Sequence, residues 1–278
     1  MDSENDYLLG THEEELTRLG LQHRVWRPRA LDGWRRAGFT VGQTLVDVGC
    51  GPGFATLDLA EIVGSSGRII AIDRSNRFLT ALQTAIVSRG FDNISVLELD
   101  LNHAELPSLQ ADGAWCRWVF AFVEKPRDLL QRIGRMLRTD GTLVIHEYCH
   151  YSTWRLSPRS ALHENFVSVV METWRKEGGE PDVGLILPVW LKELGFNIIS
   201  MQPMMDVISK SNFLWQWPRT FVHSGVRRLV NLGSISPEQG EKIMGAFAAA
   251  EKDPNTIMMT PAVMEIIATK GSSRETAR

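Results

Sequence analysis

From about residue 41 onward, short β-branched apolar runs alternate with amphipathic stretches. That rhythm predicts βαβ units around a parallel sheet covered on both faces. The first run, residues 44–48 (Thr-Leu-Val-Asp-Val), leads through a glycine-rich loop into residues 54–63, where Ala55, Leu59 and Ile62 fall at helical spacing. Residues 68–73 predict a second strand. Ser75 then suits the N-cap of a helix carrying Phe78, Leu82, Ala85 and Ile86 on one face. Residues 94–100 and 114–119 predict the third and fourth strands, and Pro126 suits the first turn of a helix bearing Leu129, Leu130, Ile133 and Leu137. Gly141 turns the chain into a fifth strand, residues 142–149.

Past residue 150 the rhythm changes. A helical stretch over about 157–177 intervenes before Gly178 and Gly179, then residues 183–194 and 196–207 resume helix and strand. A second insertion, about residues 209–260, precedes a last strand at 262–268. The expected fold is α/β: a Rossmann-like, seven-stranded, mostly parallel sheet with helices on both faces and helical cap insertions. The chain divides into a helical leader (1–40), a core (41–150), a cap with the last helix and strands of the core (151–270), and a tail (271–278) expected to be disordered. The leader reads as two helices, the first bearing Leu16, Leu19 and Val25 and the second Ala30, Trp34 and Ala37.

Composition narrows the function more than the fold. A net charge of -3 over 278 residues gives no footprint for nucleic acid or an anionic membrane. Cys50, Cys116 and Cys149 lie far apart without paired metal-ligand spacing, which points to a reduced, cytoplasmic setting and to no metal. The acidic N-terminus is unlike a secretory signal, and no apolar run reaches the ~20 residues of a membrane span.

The chemistry concentrates on Gly49-Cys50-Gly51-Pro52-Gly53, which ends an apolar strand and opens directly into a helix. Glycines there permit a sharp turn and close backbone approach by a ligand at the carboxyl ends of the strands. The dinucleotide fingerprint G-x-G-x-x-G would need a glycine at position 54, which is Phe54. The spacing therefore suits a nucleoside without a pyrophosphate better than a dinucleotide. Asp73, at the end of the second strand, suits a ribose of either ligand, or it serves only as a charge near a helix N-terminus.

Val46 to Gly53, Ile72-Asp73, Leu99-Asp100 and Gly141 before the fifth strand together resemble the class I S-adenosylmethionine-dependent methyltransferases over residues 41–150. The leader Tyr7-Leu8-Leu9-Gly10, with Glu15-Leu16, Arg18-Leu19 and Gln22, is similar to a bacterial branch related to the ubiquinone/menaquinone C-methyltransferases. The resemblance implies S-adenosyl-L-methionine as cofactor and methyl transfer to a small molecule. It also implies that Gly49, Cys50 and Gly51 approach the amino-acid part, Asp73 the ribose, and Arg74, Asp100 and Leu101 the adenine. Arg117, at the end of the fourth strand, is a candidate partner for the cofactor carboxylate, with Arg18, Gln22 and Tyr7 of the leader as alternatives. Arg138-Thr139-Asp140-Gly141 departs from the family's Pro-Gly-Gly turn.

Transfer from a sulfonium needs chiefly in-line positioning in a water-poor site. Where a general base helps, His146, Glu147, Tyr148, His150 and Tyr151 cluster at the fifth strand, and His150 and Tyr151 lie nearest its carboxyl end. His163 is a more distant candidate. The insertions are rich in Trp and Met, either as the lining of an apolar or aromatic acceptor pocket or as packing, and Trp215 with Trp217 is the pair to test first. Two other readings remain open: a binding module without turnover, and a nicotinamide-dependent oxidoreductase. Leader and cap offer surfaces for a homodimer.

Overall fold

The computed structural model describes residues 13–272. Ten strands, β1(Thr44–Val48), β2(Arg68–Asp73), β3(Ile94–Glu98), β4(Ala111–Arg117), β5(Leu137–His150), β6(Arg155–Ser157), β7(Phe196–Met204), β8(Val207–Ser209), β9(Ile257–Met259) and β10(Ala262–Lys270), form two sheets among these residues. Eight α-helices accompany them: α1(Glu13–Arg36), α2(Phe54–Val63), α3(Asn76–Arg89), α4(Pro126–Met136), α5(Ala161–Lys176), α6(Leu187–Glu193), α7(Gln216–Asn231) and α8(Pro237–Lys252).

The larger sheet has seven strands in the order β3-β2-β1-β4-β5-β10-β7. Parallel pairing joins β3 through β5, and β10 alone runs antiparallel to both its neighbours. The order reverses between β1 and β4, so a crevice opens at their carboxyl ends, the usual ligand position in an open α/β sheet. Val46, Val48, Ile70, Ile72 and Ala114 of the central strands are all buried, as expected of a sheet covered on both faces. Ser75 caps α3 by accepting from the Phe78 N–H, and Pro126 occupies the first turn of α4.

Several elements differ from the sequence reading. The leader is one helix across residues 13–36, with Pro28 inside it, and not two. Trp26, Ala30 and Trp34, each 0 % exposed, continue one buried stripe past the proline. Two buried indoles contribute on the order of 5 kcal/mol each, more than the ~3 kcal/mol an interior proline costs. The expected turn at 138–141 is instead a bulge within β5: Ala111 pairs with Leu137 and Gly113 with Thr142, and Asp140 takes φ 60. Expected helix 183–194 is a single 3-10 turn at Val183–Leu185 followed by the short α6. Expected strand 196–207 is divided between β7 and β8. Strands β6, β9 and β8 form a small antiparallel sheet that the sequence pattern did not announce, with Met258 facing Leu156 and Ile208 across it. Most of the tail, residues 273–278, lies outside the described residues.

Helix α1 is fastened across the sheet by charge. Arg36 donates to Glu265 on β10, which also contacts His146 Nε2 on β5 at 2.9 Å, and Arg29 pairs with Asp206 at 2.6 Å. Gly33 is the close-approach point, since a Cβ there would stand 2.3 Å from the Glu265 carboxylate. The helix thereby packs Ala30 and Trp34 on the sheet beside Leu45, Trp115 and Val144, and its first turns reach the crevice with Glu15, Arg18 and Gln22.

Candidate active site

Two hollows meet at the crevice, sharing Gly49, Trp118 and Phe122 in their walls. Their common floor is the glycine loop. Gly49 and Cys50 donate to the Ile72 carbonyl at 2.8 and 2.9 Å, which turns the loop back against β2. Gly49, Gly51 and Gly53 have φ values of 71, 54 and 81°, the left-handed region that side chains resist. A Cβ on Gly51 would meet nothing within 4 Å, so open space lies directly over its Cα.

The first hollow, of about 310 Å³, is edged by Asp73, Arg74, Asp100, Leu101, Val119 and Glu177. Asp73 accepts from the Gly51 N–H at 2.8 Å with Oδ2 and from the Ser75 N–H at 2.9 Å with Oδ1. Burial raises its pKa, and these backbone donors oppose the rise. Each oxygen keeps a further lone pair, so the carboxylate retains acceptor capacity for hydroxyls. The loop after β3 is fixed by Arg132, which donates to the carbonyls of Leu101 and Ala104.

The second hollow is bounded by α1, the glycine loop and the cap. Arg18 forms a two-point ion pair with Glu15 at 2.6 and 2.7 Å and donates to Gln22 Oε1 at 2.6 Å. Opposite stands Arg117, whose guanidinium lies 5.7 Å from the Trp115 ring and 5.2 Å from the Trp118 ring. Burial lowers its pKa to about 10, while Asp47 and Asp58 oppose the fall. Its Nη2 contacts His23 Nδ1 at 3.3 Å, and its buried Nη1 has no partner among the described residues. Asp47 lies nearby, accepting from Thr56 at 2.6 Å, with its pKa raised to about 6 by burial.

Aromatic rings make the remaining wall. Trp118, Tyr148 and Trp217 are nearly parallel, with interplanar angles of 18, 15 and 8° and centroids 5.4 to 6.4 Å apart. Trp174 meets Tyr148 edge-on at 5.9 Å, and Phe122 and Phe221 complete the chamber. Trp118 holds φ 52, an unusual conformation for a bulky residue, at the junction of the two hollows.

The structure brings Arg18, Gln22, Gly49, Cys50, Gly51 and Arg117 to the second hollow and Asp73, Arg74, Asp100 and Leu101 to the first. Tyr7 lies outside the described residues. The two expected general bases line neither hollow. His150 is exposed at the end of β5, and Tyr151 is buried behind Tyr148 with its ring 4.9 Å away. Burial also holds the Tyr151 phenol well above its usual pKa. His163 is packed in the cap against Trp154 and Phe247, remote from the crevice walls. Trp215 and Trp217 are separated: Trp217 faces the hollow, whereas Trp215 donates to Glu251 at 2.9 Å and packs near Phe247. His23, Asp47, Trp118, Phe122 and Phe221 are among the contributors that escaped the sequence reading, whereas Trp174 stood among the cap tryptophans. Asp47 alone carried a visible signal, as the acidic residue within the strand leading into the loop.

This arrangement defines a Rossmann-like domain with a nucleoside-binding crevice. Residues 46–145 match a family model described as a methyltransferase domain. The chain is 27% identical over 129 residues to the demethylmenaquinone methyltransferase of Lactococcus lactis, covering 46% of this chain and 50% of that one. It is 31% identical over 128 residues to the 2-phytyl-1,4-naphtoquinone methyltransferase of Nostoc, covering 46% and 55%. The chain thus spans about half the length of these curated relatives. Among solved structures, the fold is similar to the [4+2]-cyclase SpnF, with a TM-score of 0.58, 17% identity and coverage of 88% and 82%. It is also similar to coclaurine N-methyltransferase bound to N-methylheliamine and S-adenosylhomocysteine, with a TM-score of 0.54, 18% identity and coverage of 85% and 70%. The domain match and these relatives together support a class I S-adenosylmethionine-dependent methyltransferase related to the ubiquinone/menaquinone C-methyltransferases. The crevice fits that cofactor: open space over Gly51, acceptor capacity at Asp73 and an unpartnered guanidinium nitrogen at Arg117 complement an adenosyl amino acid. No helix among the described residues is long and apolar enough to cross a membrane.

Proposed function

We propose that this chain transfers a methyl group from S-adenosylmethionine to a small apolar or aromatic molecule held beneath the cap. The observation that carries the reading is the junction of the two hollows at Gly49, Trp118 and Phe122. One hollow is edged by carboxylates suited to a nucleoside, and the other is walled by aromatic rings suited to an apolar acceptor.

Bound S-adenosylmethionine supplies a sulfonium-activated methyl group, an electrophile that needs no metal or acid. In this reading Asp73 takes the ribose, Arg74, Asp100 and Leu101 the adenine, and the backbone of Gly49, Cys50 and Gly51 the amino-acid portion. Arg117 is favoured for the carboxylate because its Nη1 is unpartnered, whereas Arg18 is already engaged by Glu15 and Gln22. Trp118, Trp174 and Trp217 exclude water and orient the acceptor. With His150 and Tyr151 away from the crevice walls, and the Tyr148 phenol that does line the hollow held well above its usual pKa by burial, the reading favours an acceptor that arrives already nucleophilic. The quinone-type names of the relatives agree with a planar acceptor.

The three buried free thiols support a reducing, cytoplasmic setting. Homodimer formation through leader and cap is checked by light scattering of the purified chain. For function, the chain is incubated with S-adenosylmethionine and a cell metabolite extract. S-adenosylhomocysteine should accumulate while one metabolite gains a methylene's mass. Cofactor binding without turnover across the extract would favour a binding module. Calorimetric binding of NADH in place of S-adenosylmethionine would favour the oxidoreductase.

A further inference from the structure

Arg117 does not stand alone. Its Nη2 approaches His23 Nδ1 at 3.3 Å, and His23 Nε2 lies 3.0 Å from Asp58 Oδ2, which also accepts from Arg27 Nε at 2.8 Å. The row crosses three elements, joining α1, α2 and β4, and the His23 ring rests on Phe54 with centroids 5.9 Å apart. A guanidinium can only donate, so the contact requires a lone pair on Nδ1. The proton then resides on Nε2 and is donated to Asp58, which fixes the tautomer.

We infer that His23 is a positioning residue for the methyl donor's carboxylate: as a neutral imidazole it holds the Arg117 guanidinium by Nη2 and leaves the buried Nη1 unpartnered beside the hollow that Arg117 lines. The inference rests on the reading that the donor's amino-acid portion lies between the glycine loop and Arg117, at the edge of that hollow. A proton on Nδ1 would set two donors against each other and release Arg117. The charged groups around His23 are Asp58 on α2, Arg27 on α1 with Glu61 beside it, and Arg117 on β4, with Asp47 on the guanidinium's other side. Burial lowers the His23 pKa, Asp58 opposes this, and Arg117 and Arg27 add to it. The contact is therefore intact at neutral pH and is lost on acidification. Asp47, with a pKa of about 6, loses its charge over a neighbouring range, so variants are needed to separate the two.

The experiment is calorimetric titration of the full chain with S-adenosylhomocysteine and with 5′-methylthioadenosine, which keeps the nucleoside and thioether but has no carboxylate. At about pH 8, His23→Phe should weaken S-adenosylhomocysteine about tenfold and leave 5′-methylthioadenosine within about twofold. His23→Asn, which restores an acceptor near Nδ1 and does not titrate, should keep wild-type affinity there. It should also lose less affinity than wild type between about pH 8 and about pH 5.5. The inference is overturned if His23→Phe binds S-adenosylhomocysteine normally, if it weakens both ligands equally, or if His23→Asn is as weak as His23→Phe. Wild-type chain that binds neither ligand would defeat the donor-site reading first. Wild-type binding with no effect in either variant would defeat only the role of His23.

Discussion

The Asp73 carboxylate accepts the Gly51 N–H at 2.8 Å, tying the end of β2 to the middle of the glycine loop. The same carboxylate accepts the Ser75 N–H, so one buried side chain shapes both the loop and the start of α3. Asp73→Ala removes two charge-assisted bonds and the proposed ribose contact together, each worth about 1.5–3 kcal/mol. Affinity for S-adenosylmethionine and 5′-methylthioadenosine should fall alike, by more than about tenfold in calorimetric titration. A variant that loses only the amino-acid-bearing ligand would place the ribose elsewhere.

The two glycines nearest the crevice should respond differently to a methyl group. A Cβ on Gly49 would lie 2.3 Å from Val119 Cγ2, whereas on Gly51 it would meet nothing within 4 Å. Gly51→Ala should cost only about 1–2 kcal/mol in backbone strain and leave a folded chain that binds the cofactor poorly. Gly49→Ala should lose stability as well. Thermal melting beside ligand titration distinguishes them, and normal cofactor affinity in Gly51→Ala would count against the proposed approach.

Trp217 and Trp215 divide function from support. Trp217 stacks in the hollow with Trp118 and Tyr148, while Trp215 is 1 % exposed and held by Glu251. Trp217→Leu should raise the acceptor KM with a smaller effect on cofactor binding. Trp215→Ala should destabilise by about 3–5 kcal/mol without changing the KM of the folded fraction. Steady-state kinetics and denaturant unfolding of both variants check the division.

Buried titratable groups give stability a defined pH profile. Burial lowers His146 and His163 from 6.5 to about 4, so the unfolded chain binds protons there that the native one does not. Their contribution is therefore present above 6.5 and is lost as pH falls toward 4. Burial raises Glu147 from 4.5 to about 8, although its carboxylate accepts from the Tyr148 and Ala121 N–H groups. The native state then holds the extra proton, and this contribution falls as pH rises from 4.5 to 8. His163→Leu should flatten the acid limb and, because neither buried ring nitrogen of His163 makes a well-formed hydrogen bond among the described residues, raise stability by about 1 kcal/mol. Glu147→Gln should flatten the decline toward pH 8. Urea unfolding across the pH range measures both slopes, and an unchanged acid limb in His163→Leu would assign that limb to His146.

The alternation of strand and helix, the glycine loop at residues 49–53 and the carboxylate of Asp73 were legible along the chain, because they depend on local period, backbone freedom and nearby spacing. The sequence also carried Arg18 and Gln22 as leader residues reaching the crevice, through resemblance more than through periodicity. Which aromatic side chains face the hollow depends on long-range packing. Trp215 and Trp217 are two residues apart, yet one packs on α8 and the other on Trp118, because a 3-10 turn at Phe213–Trp215 runs directly into α7. Tertiary packing likewise turned two expected leader helices into one, since the burial of Trp26 and Trp34 outweighs Pro28. His23 was illegible for the same reason: its role depends on Asp58 and Arg117, 35 and 94 residues away, and no local spacing encodes a row of hydrogen bonds across three elements.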